Sequence, residues 1–315
     1  MKRAYQLFLL ILSVLLLLSA CAPKNESAGP AMWKVTSKDG NVLYLFGSIH
    51  AATDDIYPLR DSVMKAYDSC DALAVELDTN NMDGDTLKSM YTAMLLTDGT
   101  TIADHCDAAT FEAMTTVLQE EGIYSPLYNA FGPVFWQTIL EGAALKKAGL
   151  DSEKGIDSHF LSLAHESGKE ILEVESLEFQ IGLLVSDEAQ KEAAALLPLL
   201  AERFEDCAKY YSYLYESYAR GDMETISYLV NGNAQNPVNT GDASLDDLIR
   251  VMGESESEWD SEYSTAARNR NIAQAAAEYL ASGKKVFFVV GAAHMVGPDG
   301  IPALLEEMGY TVERT

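Results

Sequence analysis

The chain has 315 residues, 48% of them hydrophobic, and a formal net charge of −26 at pH 7. That apolar content is ample for a buried core and excludes disorder along the whole chain, while the length allows one large domain or two ordinary ones. The acidic balance excludes nucleic acid as a natural partner, because phosphate binding needs a basic face.

The chain opens "MKRAYQLFLLILSVLLLLSA", with Lys2 and Arg3 ahead of a Leu-rich run that ends in small residues just before Cys21. That is the pattern of an export signal. The tetrapeptide "LSAC" (18–21) resembles the bacterial lipoprotein signal-peptidase box, which implies a signal peptide over 1–20 and a lipid on Cys21. An uncleaved anchor or an ordinary secretory signal is the rival reading, since the run approaches the ~20 residues that span a bilayer. Both readings place the globular part outside the cytoplasm, and the first anchors it by lipid to the bacterial cell membrane. Losing Lys2 and Arg3 with the signal takes the net charge from −26 to −28, so membrane contact is expected from the acyl chains alone. Residues 21–31 are small and polar, as a tether should be, leaving 32–315 as the domain. Cys70, Cys106 and Cys207 show no C-x-x-C spacing. No disulfide framework is implied; one bridge stays open, with buried thiols the ordinary expectation.

Residues 32–46, "MWKVTSKDGNVLYLF", predict a β-hairpin turning at Asp39-Gly40, whose second strand delivers "GSIH" (47–50). A helix is expected over 59–69, then a buried strand "ALAVEL" (72–77) carrying Glu76. Helical spacing dominates 85–148. "GIDSHFLSLAHESGKEILEVES" (155–176) predicts a helix with Ile156, Phe160, Leu163 and Ala164 inward, a stop near Gly168, and the strand "EILEVE". Residues 188–230 are again helical, 231–244 read as a loop, and a helix is expected over 256–282. The chain closes with the strand "KVFFVV", a second Gly-x-x-His ("GAAH", 291–294), a turn, the helix "IPALLEEMG" and the strand "YTVER". Strands at both ends with helical inserts between them predict a single α/β domain: a mostly parallel or mixed central sheet, an N-terminal hairpin and a helical layer or lid.

In open α/β sheets ligands sit beyond the carboxyl ends of strands. His50, Glu76 and His294 all fall there, which predicts that the two histidines aim at one shared site. Gly47 and Gly291 are expected to let the chain leave each strand with unusual torsions and to leave room beside the imidazoles. Two imidazoles and a carboxylate can hold a divalent ion such as Zn²⁺, Mn²⁺ or Co²⁺, which would activate water and polarise a carbonyl. The competing reading has each histidine hydrogen-bonding locally at a strand end.

The paired "GSIH" and "GAAH" strands, "AVEL", "GIDSHFLSLAHESGKEILEVES", "ARNRNIA" and "VVGAAHMVGPDGIPALLEEMGYTV" together resemble the TraB/GumN family, which includes the TIKI-type metalloproteases. The similarity covers nearly all of the chain after the tether. It implies one α/β domain and an active site built from Gly47, His50, Glu76, Arg268, Asn269, Gly291 and His294, with a divalent metal and hydrolysis of a peptide or protein substrate. Arg268 could steady an oxyanion or pair structurally with Glu173 or Glu175. Asp157 and Glu175 are expected to tie the helix-strand unit together, and His105, His159 and His165 to be ordinary. Ser48 lacks the surroundings of a nucleophile elbow, and "DTNNMDGDT" (78–86) reads as a solvated turn. The alternative to a hydrolase is a non-catalytic lipoprotein that holds metal, haem or another ligand; oligomeric state is left open.

Overall fold

The computed structural model describes residues 29–231, 238–254 and 262–315. The expected signal peptide over 1–20, Cys21, most of the expected tether, and part of the predicted 231–244 loop lie outside the described residues.

The hairpin forms as predicted: β1 (Met32–Thr36) pairs antiparallel with β2 (Val42–Ser48), with Met32 opposite Phe46 and Thr36 opposite Val42. Its turn needs a left-handed residue, and Gly40 supplies it at φ +86. β3 (Ala72–Val75), β4 (Glu170–Glu173), β5 (Val286–Gly291) and β6 (Thr311–Arg314) complete one six-stranded sheet in the order β4-β3-β5-β2-β1-β6. β4, β3, β5 and β2 run parallel to one another, while β1 is antiparallel to both β2 and β6. The sheet is therefore mixed, with a parallel half whose strand ends all open on one side.

Both faces of the parallel half are covered, which explains the near-continuous apolar run in β5. Phe46, Leu73, Phe287 and Val289 pack against Phe160 and Ala164 of the helix Ile156–Ser167 and against Tyr67 of the helix Asp61–Asp68. The rings of Phe46, Phe160 and Phe287 meet at centroid distances of 4.9 to 5.9 Å, contacts worth about 0.5–1.5 kcal/mol each beyond area burial. On the other face Leu45, Ala74 and Phe288 meet Ile272, Ala273 and Ala276 of the helix Thr265–Ser282. Residues between β3 and β5 add helices such as Ala108–Glu120, Pro133–Lys147, Asp187–Glu202 and Phe204–Ala219, which pack around Met114, Trp136, Leu140 and Leu197 in a core without strand residues. This is the helical layer that the sequence predicts.

Three boundaries differ from expectation. The helix expected from 256 begins at Thr265, where the Ser264 side chain accepts from the Ala267 N–H; 255–261 lie outside the described residues. In the helix Ile156–Ser167 the buried leucine is Leu161, and Leu163 is only partly covered, because the buried stripe runs through Ile156, Phe160, Leu161 and Ala164 at helical spacing. Gly168 ends that helix at φ +68, as expected. The strand expected over 170–175 stops at Glu173, yet the Val174 and Glu175 N–H groups still donate to the carbonyls of Val75 and Glu76. Glu175 is thereby carried up beside Glu76. Cys70, Cys106 and Cys207 are free thiols, and burial pushes Cys70 and Cys207 up to about 11. Among the described residues no helix is long and apolar enough to cross a membrane.

Candidate active site

Because β3, β5 and β2 are adjacent and parallel, the residues that follow them are delivered side by side. Glu76 follows the last residue of β3, His50 lies two residues beyond Ser48 at the end of β2, and His294 sits in the single-turn helix Ala292–Met295 directly after β5.

Glu76 is the hub. Its Oε1 accepts the Gly291 N–H at 2.9 Å, its Oε2 accepts Arg268 Nη2 at 2.9 Å, and Oε1 lies 3.9 Å from His294 Nε2. Arg268 also grips Glu175 with two bonds, Nε to Oε1 at 2.7 Å and Nη2 to Oε2 at 2.9 Å. Gln180 Nε2 donates to Glu175 Oε2 at 2.5 Å. Of the two partners the sequence offers for Arg268, Glu175 is the one used, and Glu76 is added through Nη2.

His294 is buried, and Asn269 fixes its ring. Asn269 Nδ2 donates to the Asp299 carbonyl at 2.7 Å, so Asn269 Oδ1 faces the ring and accepts from Nδ1 at 2.5 Å. Burial holds His294 below its ordinary 6.5, with Glu76 opposing that shift and Arg268 assisting it. The neutral ring therefore carries its proton on Nδ1 and turns a bare Nε2 toward Glu76. Two acceptors thus face one another across 3.9 Å, a gap that suits a cation or a proton.

His50 is the exposed member, its side chain 78% accessible. Its Nδ1 lies 2.9 Å from Asp157 Oδ2, and Ser48 Oγ donates to Asp157 Oδ1 at 2.5 Å. The hydrogen bond and charge of Asp157 raise His50 to about 9, against desolvation, with a further lift from Glu76 and opposition from Arg268. Burial works to raise Asp157, but the bonds and charge of His50 and the Ser48 hydroxyl overcome it and hold the carboxyl below its usual range.

The expectation that Asp157 and Glu175 tie the helix-strand unit together is corrected here. Each faces the site instead, Asp157 toward His50 and Glu175 toward Arg268, because their elements end at the open side of the sheet. Gln180 and Tyr218 escaped the sequence reading. The Tyr218 hydroxyl donates to the Gly47 carbonyl at 2.7 Å from a helix far along the chain, and nothing in local sequence signals that contact. Ser48 is bonded to Asp157 rather than to His50, so no serine-histidine nucleophile pair is assembled. His159 packs on Tyr57 at 4.7 Å, His165 bonds Asp78, and His105 bonds Thr100, contacts that involve no candidate site residue. Asp78 and Asp83 cap backbone N–H groups, as a turn requires.

The torsional reason expected for the motif glycines fails at both, since neither Gly47 nor Gly291 has positive φ. Space explains Gly47 instead: a Cβ there would stand 3.2 Å from Ala292 Cα and 3.3 Å from Ala292 Cβ. At Gly291 a Cβ would meet Glu76 Oε1 at 3.5 Å and His294 Cδ2 at 3.6 Å, ordinary contacts.

Among the described residues, no three His, Cys, Asp or Glu side chains are spaced as they stand to hold a metal ion. The donor chemistry nevertheless suits one. His294 Nε2 and Glu76 Oε1 are facing acceptors, and each histidine has its Nδ1 held by an oxygen, the arrangement that orients metal-binding imidazoles.

A family model, described as the TraB/PrgY/gumN family, matches residues 31–314. The chain belongs to that family. The TraB/PrgY/gumN match takes in every strand and both Gly-x-x-His segments, so the sheet and the residues at its open end are all family territory. Among curated proteins the chain is similar to the uncharacterized protein YbaP of Escherichia coli (strain K12) and to YbaP of Shigella flexneri, 27% identical to each over 163 residues. Those segments cover 51% of this chain and 58% of each relative. No solved structure matches.

Proposed function

We propose that this protein is a metal-dependent hydrolase acting on peptides, anchored outside the cytoplasm by lipid on Cys21. The observation that carries the enzymatic reading is the facing pair of acceptors, His294 Nε2 and Glu76 Oε1, 3.9 Å apart beside a third candidate donor, His50. The "LSAC" segment supports the anchor.

His50, Glu76 and His294 would hold the ion, with Glu76 serving as a ligand or as acceptor of the attacking water's proton. When bound, a divalent ion supplies Lewis-acid polarisation of a carbonyl and a more acidic water. Asn269 keeps the proton of His294 on Nδ1, away from the reacting side. Asp157 orients His50 through its Nδ1, leaving Nε2 for the ion. Arg268, with two of its nitrogens spent on Glu76 and Glu175, presents Nη1 to negative charge developing on the substrate. The neighbouring helices wall the cleft.

The test is metal content after identical loading and dialysis of wild type, His50→Ala and His294→Ala, followed by a chelator-controlled peptide hydrolysis screen. Stoichiometric metal in the wild type, lost in both folded variants, with hydrolysis abolished by chelator, is the expected result. Equal retention in all three proteins, or none in the wild type, rejects the metal site.

A further inference from the structure

We propose that the cavity just beyond the ends of β3 and β4 is a substrate subsite that receives a long basic side chain, lysine or arginine. The inference rests on the peptidase reading for its substrate class, and on the following geometry for its chemistry.

The cavity measures about 430 Å³, within the range of small-ligand sites. Leu77, Met82, Ile171 and Leu177 supply apolar walls, and Asp78 and Glu173 supply carboxylates. Apolar walls with a carboxylate suit an aliphatic stem that ends in a cation.

Glu173 is the carboxylate with capacity to spare. The sequence offered it as a partner for Arg268, but Arg268 is taken by Glu175 and Glu76, and Glu173 stays exposed. It accepts the Asp78 N–H at 2.8 Å, and among the described residues no cation pairs with it. Asp78, in contrast, is occupied by His165 at 2.9 Å and by the Asn80 N–H.

Chain neighbours tie the cavity wall to the candidate active site. Leu77 follows Glu76 directly, Glu173 stands two residues before Glu175, and Leu177 begins the helix Leu177–Val185 whose Gln180 holds Glu175. That helix reads "LEFQIGLLV"; its apolar residues are half-buried apart from the exposed Val185, and its first residue, Leu177, stands on the cavity wall. The net charge of −26 favours the approach of a basic peptide over an acidic one.

The test compares binding of acetyl-lysine amide and its neutral counterpart, acetyl-norleucine amide, by NMR titration of wild type, Glu173→Gln and His50→Ala. Glu173→Gln keeps an acceptor for the Asp78 N–H, and thermal melting checks that it folds. The lysine compound is expected to bind wild type about tenfold more tightly than norleucine, with the preference falling to about twofold or less in Glu173→Gln and surviving in His50→Ala. Equal affinities in wild type, no binding of either compound, or a preference undiminished in Glu173→Gln would overturn the subsite. A parallel hydrolysis screen separates the two proposals. Preference without hydrolysis rejects only the peptidase reading, whereas hydrolysis indifferent to basic residues rejects only the subsite.

Discussion

Asn269 Oδ1 and His294 Nδ1 stand 2.5 Å apart in the core, and the Asp299 carbonyl on the other side of the amide dictates which way Asn269 faces. Removing that amide leaves a buried imidazole N–H and a carbonyl without partners. Asn269→Ala is therefore expected to cost about 1–3 kcal/mol of stability and to let the His294 proton move to Nε2. Denaturant unfolding measures the first effect and ¹⁵N NMR of the imidazole the second. An unchanged tautomer would refute the positioning role.

Arg268 joins two carboxylates that are themselves largely covered, with side-chain accessibilities of 18% for Glu76 and 6% for Glu175. Arg268→Met leaves both charges without their cation, a loss of about 3–5 kcal/mol when one partner of a buried pair is removed. Glu175→Gln in the same chain should recover part of that loss, since it removes one stranded charge. A double-mutant cycle reads the coupling. Strictly additive effects would mean that the bridge contributes nothing.

The His50–Asp157 pair makes stability depend on pH in a defined direction. His50 is raised from 6.5 to about 9, so in the metal-free protein its contribution is complete below pH 6.5 and fades as pH climbs from 6.5 toward 9. Asp157 is lowered, so its share is present above the ordinary carboxylate range and is lost as pH falls through the folded value. The exposure of His50 screens the pair and keeps the effect small. Thermal melts of wild type should decline from pH 6.5 to 9 more steeply than those of His50→Gln. Parallel profiles would contradict the assignment.

The two motif glycines should respond differently to the same change. Gly47→Ala pushes a methyl against Ala292, in the turn that carries His294, and overpacking of this kind costs about 1–3 kcal/mol. Gly291→Ala meets only ordinary contacts and negative φ, so it should be the milder variant. Paired melting curves decide the order.

The local half of this fold was legible in the residues. Asp39-Gly40 between two apolar runs announced the hairpin, Gly168 and Gly283 marked helix ends through left-handed torsions, and the apolar runs around Ala74 and Phe288 announced buried strands. Each depends on the preferences of a few neighbouring residues. Glu175 was harder to place, because its strand ends at Glu173 while its backbone follows Glu76 for two residues more.

Sequence by itself determined which side chains stand at strand ends: His50 after one glycine, His294 after another, Glu76 after "ALAV". Tertiary structure alone decided that those ends lie side by side, because the order β3-β5-β2 comes from pairing between segments up to about 240 residues apart, which no local preference encodes. The same holds for the partners. Asp157 reaches His50 across 107 residues and Arg268 reaches Glu76 across 192, and such bonds depend on the packing of the sheet against its two helical faces.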